Sequence, residues 1–401
     1  MSHSHGAGSH HSAPVPPQVR RLLTLILIPC ILATLVGMAV LWPGDLEGEG
    51  PEIGFPTDLL DATVVSVASV KCQSDDGGEQ FDCTRVRARL TEGPNDGKTI
   101  TMESTEGADA VRLEKGDRVV LGRSPGSPPG LEYYFADYQR GWSLFILLVI
   151  FIAIVVALGR WRGVLAILGL GVSLLIIVKF VLPAILAGSS PIAVAIVGSA
   201  GVMFIALYLA HGVSVRTTTA VLGTLVALGL TGILASIFVG AGRLTGFTSE
   251  EAIFLQISAG QINLRGLILA GIIIGSLGVL DDVTVTQASA VWELRAANPT
   301  MSRVKLYRSA LRIGRDHIAS TVNTLVLAYA GASLPLLILF SLAGAKVGDV
   351  LNGEIVAEEI IRTLVGSIGL AASVPVTTWL AAALASQGLK RAKPAEAASD
   401  G

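Results

Sequence analysis

The chain is short of charge and of cysteine, and each shortage narrows what it can be. Asp, Glu, Lys and Arg make up 15% of its 401 residues, against roughly 25% in soluble domains, while 51% are hydrophobic and the mean hydropathy is +0.65. That balance excludes an ordinary soluble domain. The cysteines number three and form no CxxC pair, which removes a zinc or dithiol centre of that type. Walker A, GxSxG and HExxH sequences are all missing, so no soluble-type catalysis, no cofactor and no nucleic-acid partner are expected. No internal repeat is visible either, so repeat symmetry cannot locate a midplane site.

What the chain has instead is apolar length. A spanning helix needs about 20 mostly apolar residues, and eight stretches qualify: 22–42, 142–158, 163–182, 191–210, 217–240, 265–284, 318–341 and 363–385. The first follows Arg20 and Arg21 like the start of a signal peptide. It ends in "LWPGDLEG" without a small-residue cleavage site and reads as an uncleaved anchor. With the N-terminus inside, the inner segments carry fourteen Lys and Arg, and the short outer loops only Arg243, Arg265, Lys346 and Arg362. The positive-inside rule then puts both termini in the cytoplasm of a multi-pass cell-membrane protein whose first partner is the lipid bilayer.

The expected organisation is a mainly α-helical polytopic membrane protein of about eight transmembrane helices with a small extracytoplasmic β domain. Residues 1–21 form a disordered His-rich cytoplasmic tail, 22–42 an anchor and 43–140 the β domain. A seven-helix membrane domain occupies 141–386, and 387–401 is a cytoplasmic tail. Residues 43–140 hold nineteen Asp and Glu against ten Lys and Arg, a local net of −9. "LDATVVSVASVKC" and "FDCTRVRARL" flank a turn in "QSDDGGEQ" and predict a hairpin; "KTITM" and "GDRVVL" add short strands, giving an OB-like or barrel-like meander. Cys72 and Cys83 lie on the two hairpin arms, in a compartment where disulfides persist, and are expected to pair. Cys30, inside the first helix, reads as an inert core residue. His3, His5, His10 and His11 are interleaved with Ser and Gly, and are either a metal-binding tract or a solvated tail.

The polar residues within apolar stretches carry the functional expectation, because a charge at the bilayer centre costs about 2.5–3.5 kcal/mol on insertion scales. Asp281 and Asp282 follow the apolar run that starts near Leu267. Gly271, Gly275, Gly278, Asp282, Ser289 and Glu293 fall on one helix face, with Thr286 beside it, so Asp282 is expected to face a helix-packing seam and Asp281 to lie about 100° away. Two carboxylates close together in a dry site would leave one protonated, a device for proton coupling. If the span ends near Leu280, the pair instead faces the cytoplasmic arginines. In "GRDHIASTVNTLVLAYAG", Asp316, Ser320 and Asn323 make a second stripe, with His317, Thr321 and Thr324 alongside. The two helices would then complete one site, with Asn323 and Thr324 as neutral oxygen donors. "GRLTGFTSEEAIFLQISAGQINLRG" reads as an amphipathic interfacial segment. Pro183 and Pro375 should bend or end their helices.

Three blocks, "LILAGIIIGSLGVLDDVTVTQASAVWEL", "GRDHIASTVNTLVLAYAGASLPLLILF" and "EIIRTLVGSIGLAASVPVTT", together with "KFVLPAILAGSSPIAVA", resemble the bacterial YibE/F family of multispanning membrane proteins over about residues 140–386. The resemblance implies a permease with no settled substrate. It matches Asp282, rather than Asp281, to the aspartate of the Gly-rich block, Thr286 and Ser289 to its small-hydroxyl positions, and Asn323 and Thr324 to its "NT" pair. The leading expectation is a secondary transporter for an unknown small solute or ion, with an intramembrane carboxylate as proton or cation site. The alternative is a membrane scaffold or sensor whose outer domain binds an extracytoplasmic protein.

Overall fold

The computed structural model describes residues 17–44, 58–73, 80–92, 95–105, 112–124, 132–248, 250–259, 262–344 and 346–387. The four tail histidines lie outside them. Two compact units are formed, one of residues 49–154 and one of 1–48 with 155–401.

The smaller unit contains an antiparallel sheet of five strands: β1 (Asp58–Gln73), β2 (Gln80–Leu90), β3 (Thr99–Thr105), β4 (Arg118–Arg123) and β5 (Tyr133–Tyr138), in the order β3-β2-β1-β4-β5. The predicted hairpin is β1–β2, with Gln73 opposite Gln80. Alternation places Val86, Ala88 and Leu90 of β2 in a core with Val64, Ile100, Met102, Val119 and Leu121. β1 is long enough to pair with β2 along most of its length and with β4 at its start, bending at an irregularity between Val64 and Ser66. The edge strands β3 and β5 also touch. β5, in "EYYFADY", follows the turn-rich "SPGSPPG" but shows no regular alternation of apolar and polar residues, and escaped the sequence reading. Cys72 stands opposite Phe81 and Cys83 opposite Val70, diagonal positions on one sheet face. The Cys72 side chain, and so the expected pairing, lies outside the described side chains.

The larger unit is helical. α1 is Pro17–Val40, and α2 (Gly141–Ile176), which belongs to this unit from Val155 onward, continues through a π turn at Ile177–Val181 into α3 (Leu182–Leu186). Then come α4 (Pro191–His211), α5 (Val215–Ala241), α6 (Glu250–Ala259), α7 (Leu264–Ala297), α8 (Arg303–Ala332), α9 (Leu334–Leu342), α10 (Val347–Asn352) and α11 (Glu354–Ser386). Ser214 and Asn263 start α5 and α7 as N-caps, accepting from Thr217 N and Gly266 N. Pro183 opens α3 without ending the stretch, and Pro375 is accommodated inside α11. Among the described residues six helices are long and apolar enough to cross a membrane, or seven if α8 and α9, bent by 60°, form one span. The count falls below eight because Gly141–Leu186 runs as one 46-residue stretch. That stretch is broken at Arg160 (φ 52°, ψ −133°), and Gly163 lies against the Val155 carbonyl, an approach that leaves no room for a Cβ.

Candidate functional site: an enclosed carboxylate in a three-helix hub

Of all the helices, α5, α7 and α11 pack most extensively on one another. Between α5 and α11 the contact is made by glycine against hydroxyl. A Cβ on Gly223 of α5 would overlap the Thr377 hydroxyl of α11, and one on Gly369 of α11 would overlap the Thr231 hydroxyl of α5. Close backbone approach of this kind is how helices gain packing energy where lipid supplies no hydrophobic drive. Each hydroxyl with an intrahelical carbonyl in reach uses it: Thr231 donates to Ala227 O at 2.9 Å and Thr224 to Ala220 O at 3.1 Å. The interior nevertheless stays polar, with Thr224, Thr231, Thr284, Gln287, Ser373, Thr377 and Thr378 all fully buried.

Asp281 belongs to this hub. The residue is half-buried beside the fully buried Thr284, and its Oδ1 is buried with no hydrogen-bond partner among the described residues. Thr224 Oγ1 and Thr284 Oγ1 are 2.7 Å apart, and Thr284 Oγ1 lies 3.2 Å from the Asp281 carbonyl. Nearer the C-terminal end of α7, Thr378 donates to Gln287 Oε1 at 2.9 Å, while Gln287 Nε2 and Thr377 Oγ1 have no hydrogen-bond partner among the described residues.

Asp282 points the other way, against the expectation that it faces a packing seam. Its side chain is 71% exposed, and its nearest ionic partner is His317 Nε2 of α8, 3.7 Å away. Gly271, Gly275 and Gly278 share that outward face: nothing lies within 4 Å of a Cβ on Gly271 or Gly278, and only Tyr329 Oη, at 3.8 Å, approaches Gly275. The expected packing seam is therefore open in this chain. The bulky face of α7, with Ile273, Leu280 and Val283, is the one its neighbours cover. Thr286 and Ser289 are half-buried. Asn323 and Thr324 are exposed, Thr324 donating to Ser320 O at 3.0 Å, so the second stripe does not join Asp282; His317 does.

A second carboxylate arrangement had not been anticipated. Glu354, at the first turn of α11, accepts from Thr245 N, from Gly246 N at 2.9 Å and from Thr245 Oγ1 at 3.0 Å, while Thr248 donates to Glu358 at 3.3 Å. Arg362 bridges to Glu358 and, at 3.3 Å, to Glu359. Gly246 has φ +85° and backs onto Leu264, so the loop after α5 is pinned on both sides. The i, i+4, i+8 run of Glu354, Glu358 and Arg362 was the available sequence signal. Glu354→Ala should unpin the loop at a cost of about 1–3 kcal/mol, since two backbone donors lose a charged acceptor. Faster amide exchange at Thr245 and Gly246 would register it.

These features define a polytopic helical membrane protein with a cluster of buried polar side chains where α5, α7 and α11 meet. The chain belongs to the YibE/F-like protein family, whose model matches residues 147–387. No curated protein and no solved structure matches it.

Proposed function

We propose that the chain is a permease or secondary transporter of a small solute or ion, coupled to proton movement through Asp281. The observation that carries this reading is the shortage of hydrogens around that carboxyl. The Thr224 and Thr284 hydroxyls supply two, for three contacts of their own, Ala220 O, Asp281 O and the hydroxyl pair itself, so neither has a hydrogen to spare for the carboxyl, whose Oδ1 has no partner among the described residues. A proton on Asp281 supplies the third and gives its side chain a donor.

In this reading the chain crosses a bacterial cell membrane eight times, with Gly141–Leu186 divided at Arg160 and α8–α9 counted once. Both termini are cytoplasmic by the Lys and Arg distribution. The β unit is then extracytoplasmic, and its strand order with β3 beside β5 is that of an OB-like barrel. Cys72 and Cys83, on one face of the hairpin, pair there. Maleimide labelling of the denatured, unreduced protein should modify Cys30 alone; labelling of three cysteines removes the bridge.

The test is reconstitution. Full-length protein in liposomes under an imposed pH gradient should carry a proton flux that Asp281→Asn abolishes. A flux unchanged in that variant, with folding intact, would refute the proposal.

A further inference from the structure

Positive-inside topology accounts for how many cations α8 carries, but not for their alignment. Lys305, Arg308, Arg312 and Arg315 follow one another at steps of three, four and three, so three like-charge pairs share one helix face. Each such pair costs an isolated helix about 0.2–0.5 kcal/mol. Among the described residues no carboxylate forms an ion pair with any of them. Together with Ser302 and Ser309 they line an open groove of about 620 Å³.

The opposite face of the same turns is firmly held. Leu306 and Ala310 are fully buried with Val291, Ala381 and Ala382, and Gly314 sits against Val374 and Gln287. Arg303 lies over the Trp379 ring, 5.1 Å from its centre. The cations are therefore displayed from a fixed surface. From Lys305 to Arg315 they extend about 15 Å along the axis, directly before the apolar part of α8 that joins α9 as a candidate span.

We propose that this groove is a binding site for a phosphate group, gripped by Arg308 and Arg312 with Lys305 and Arg315 on either side. Guanidinium groups one helical turn apart match the several oxygens of one phosphate, and the serine hydroxyls add neutral donors. Two sources share that chemistry, an anionic phospholipid headgroup and a soluble phosphate, and this site goes beyond the transport reading and does not depend on it.

The experiment uses the full-length chain. In one arm, delipidated protein is titrated with phosphatidylglycerol or phosphatidylcholine and bound lipid is counted by native mass spectrometry. In the other, inorganic phosphate is titrated and thermal stability followed. Arg308→Gln/Arg312→Gln should weaken phosphatidylglycerol or phosphate binding by at least about tenfold, Arg308→Lys/Arg312→Lys should retain most of it, and the charge-matched control Arg160→Gln/Arg162→Gln should bind like the parent. The arm that responds identifies the source. An equal loss in the control pair, or no dependence on Arg308 and Arg312 in either arm, overturns the proposal. If the double Gln variant does not fold, the single variants Arg308→Gln and Arg312→Gln decide by the same criteria.

Discussion

Gly369→Ala and Gly223→Ala should each destabilise the folded chain by about 1–3 kcal/mol, while Gly278→Ala should leave it unchanged or slightly more stable. The added Cβ on Gly369 meets the Thr231 hydroxyl, which is tied to Ala227 O at 2.9 Å and cannot swing away without losing that bond. On Gly223 it meets both the hydroxyl and the Cβ of Thr377. Neither neighbour is the loose end of a flexible side chain, so α5 and α11 must move apart along their whole contact. At Gly278 nothing lies within 4 Å, and only the helix preference for Ala over Gly, about 0.5–1 kcal/mol, remains. Thermal unfolding in detergent measures all three. A large loss at Gly278 would mean that the outward face of α7 is covered by a second molecule, and the three-helix hub would no longer be the principal packing site.

Asp281→Asn should abolish proton coupling while keeping the fold, and Asp282→Asn should leave both nearly untouched. The asparagine amide brings two hydrogens to a cluster that lacks them, so the variant should be at least as stable as the parent. What it cannot do is exchange a proton. Asp282, by contrast, is 71% exposed and faces His317 at 3.7 Å, a separation and exposure at which ion pairs contribute about 0–1 kcal/mol. Proton flux in liposomes and thermal stability, measured on the same preparations, separate the two aspartates. If Asp281→Asn instead lowered stability by several kcal/mol with flux intact, the carboxyl would be a packing element, and the scaffold reading would replace the transporter.

Much of the architecture was legible in the chain itself. Apolar length marks the membrane segments, because a spanning helix must shelter some 30 Å of backbone from lipid. Period-two alternation in "CTRVRARL" marks a half-buried strand, and the turn in "QSDDGGEQ" marks its hairpin. The candidate site was legible only as a pair of aspartates. Which of them turns inward was not, because α7 is apolar nearly all round, and in such a helix periodicity does not distinguish a neighbour from lipid. A stripe of glycines looked like the contact face, yet helix association in lipid depends on what the facing helix offers. Here Gly223 and Gly369 met threonines on α11 and α5, whereas Gly271 and Gly278 met nothing. The sequence by itself determined that a carboxylate sits within the membrane helices. Only the tertiary structure decided that Asp281 is the one turned toward the neighbouring helices, because the rotation of α7 follows from three helices fitting their bulky and small side chains together at once.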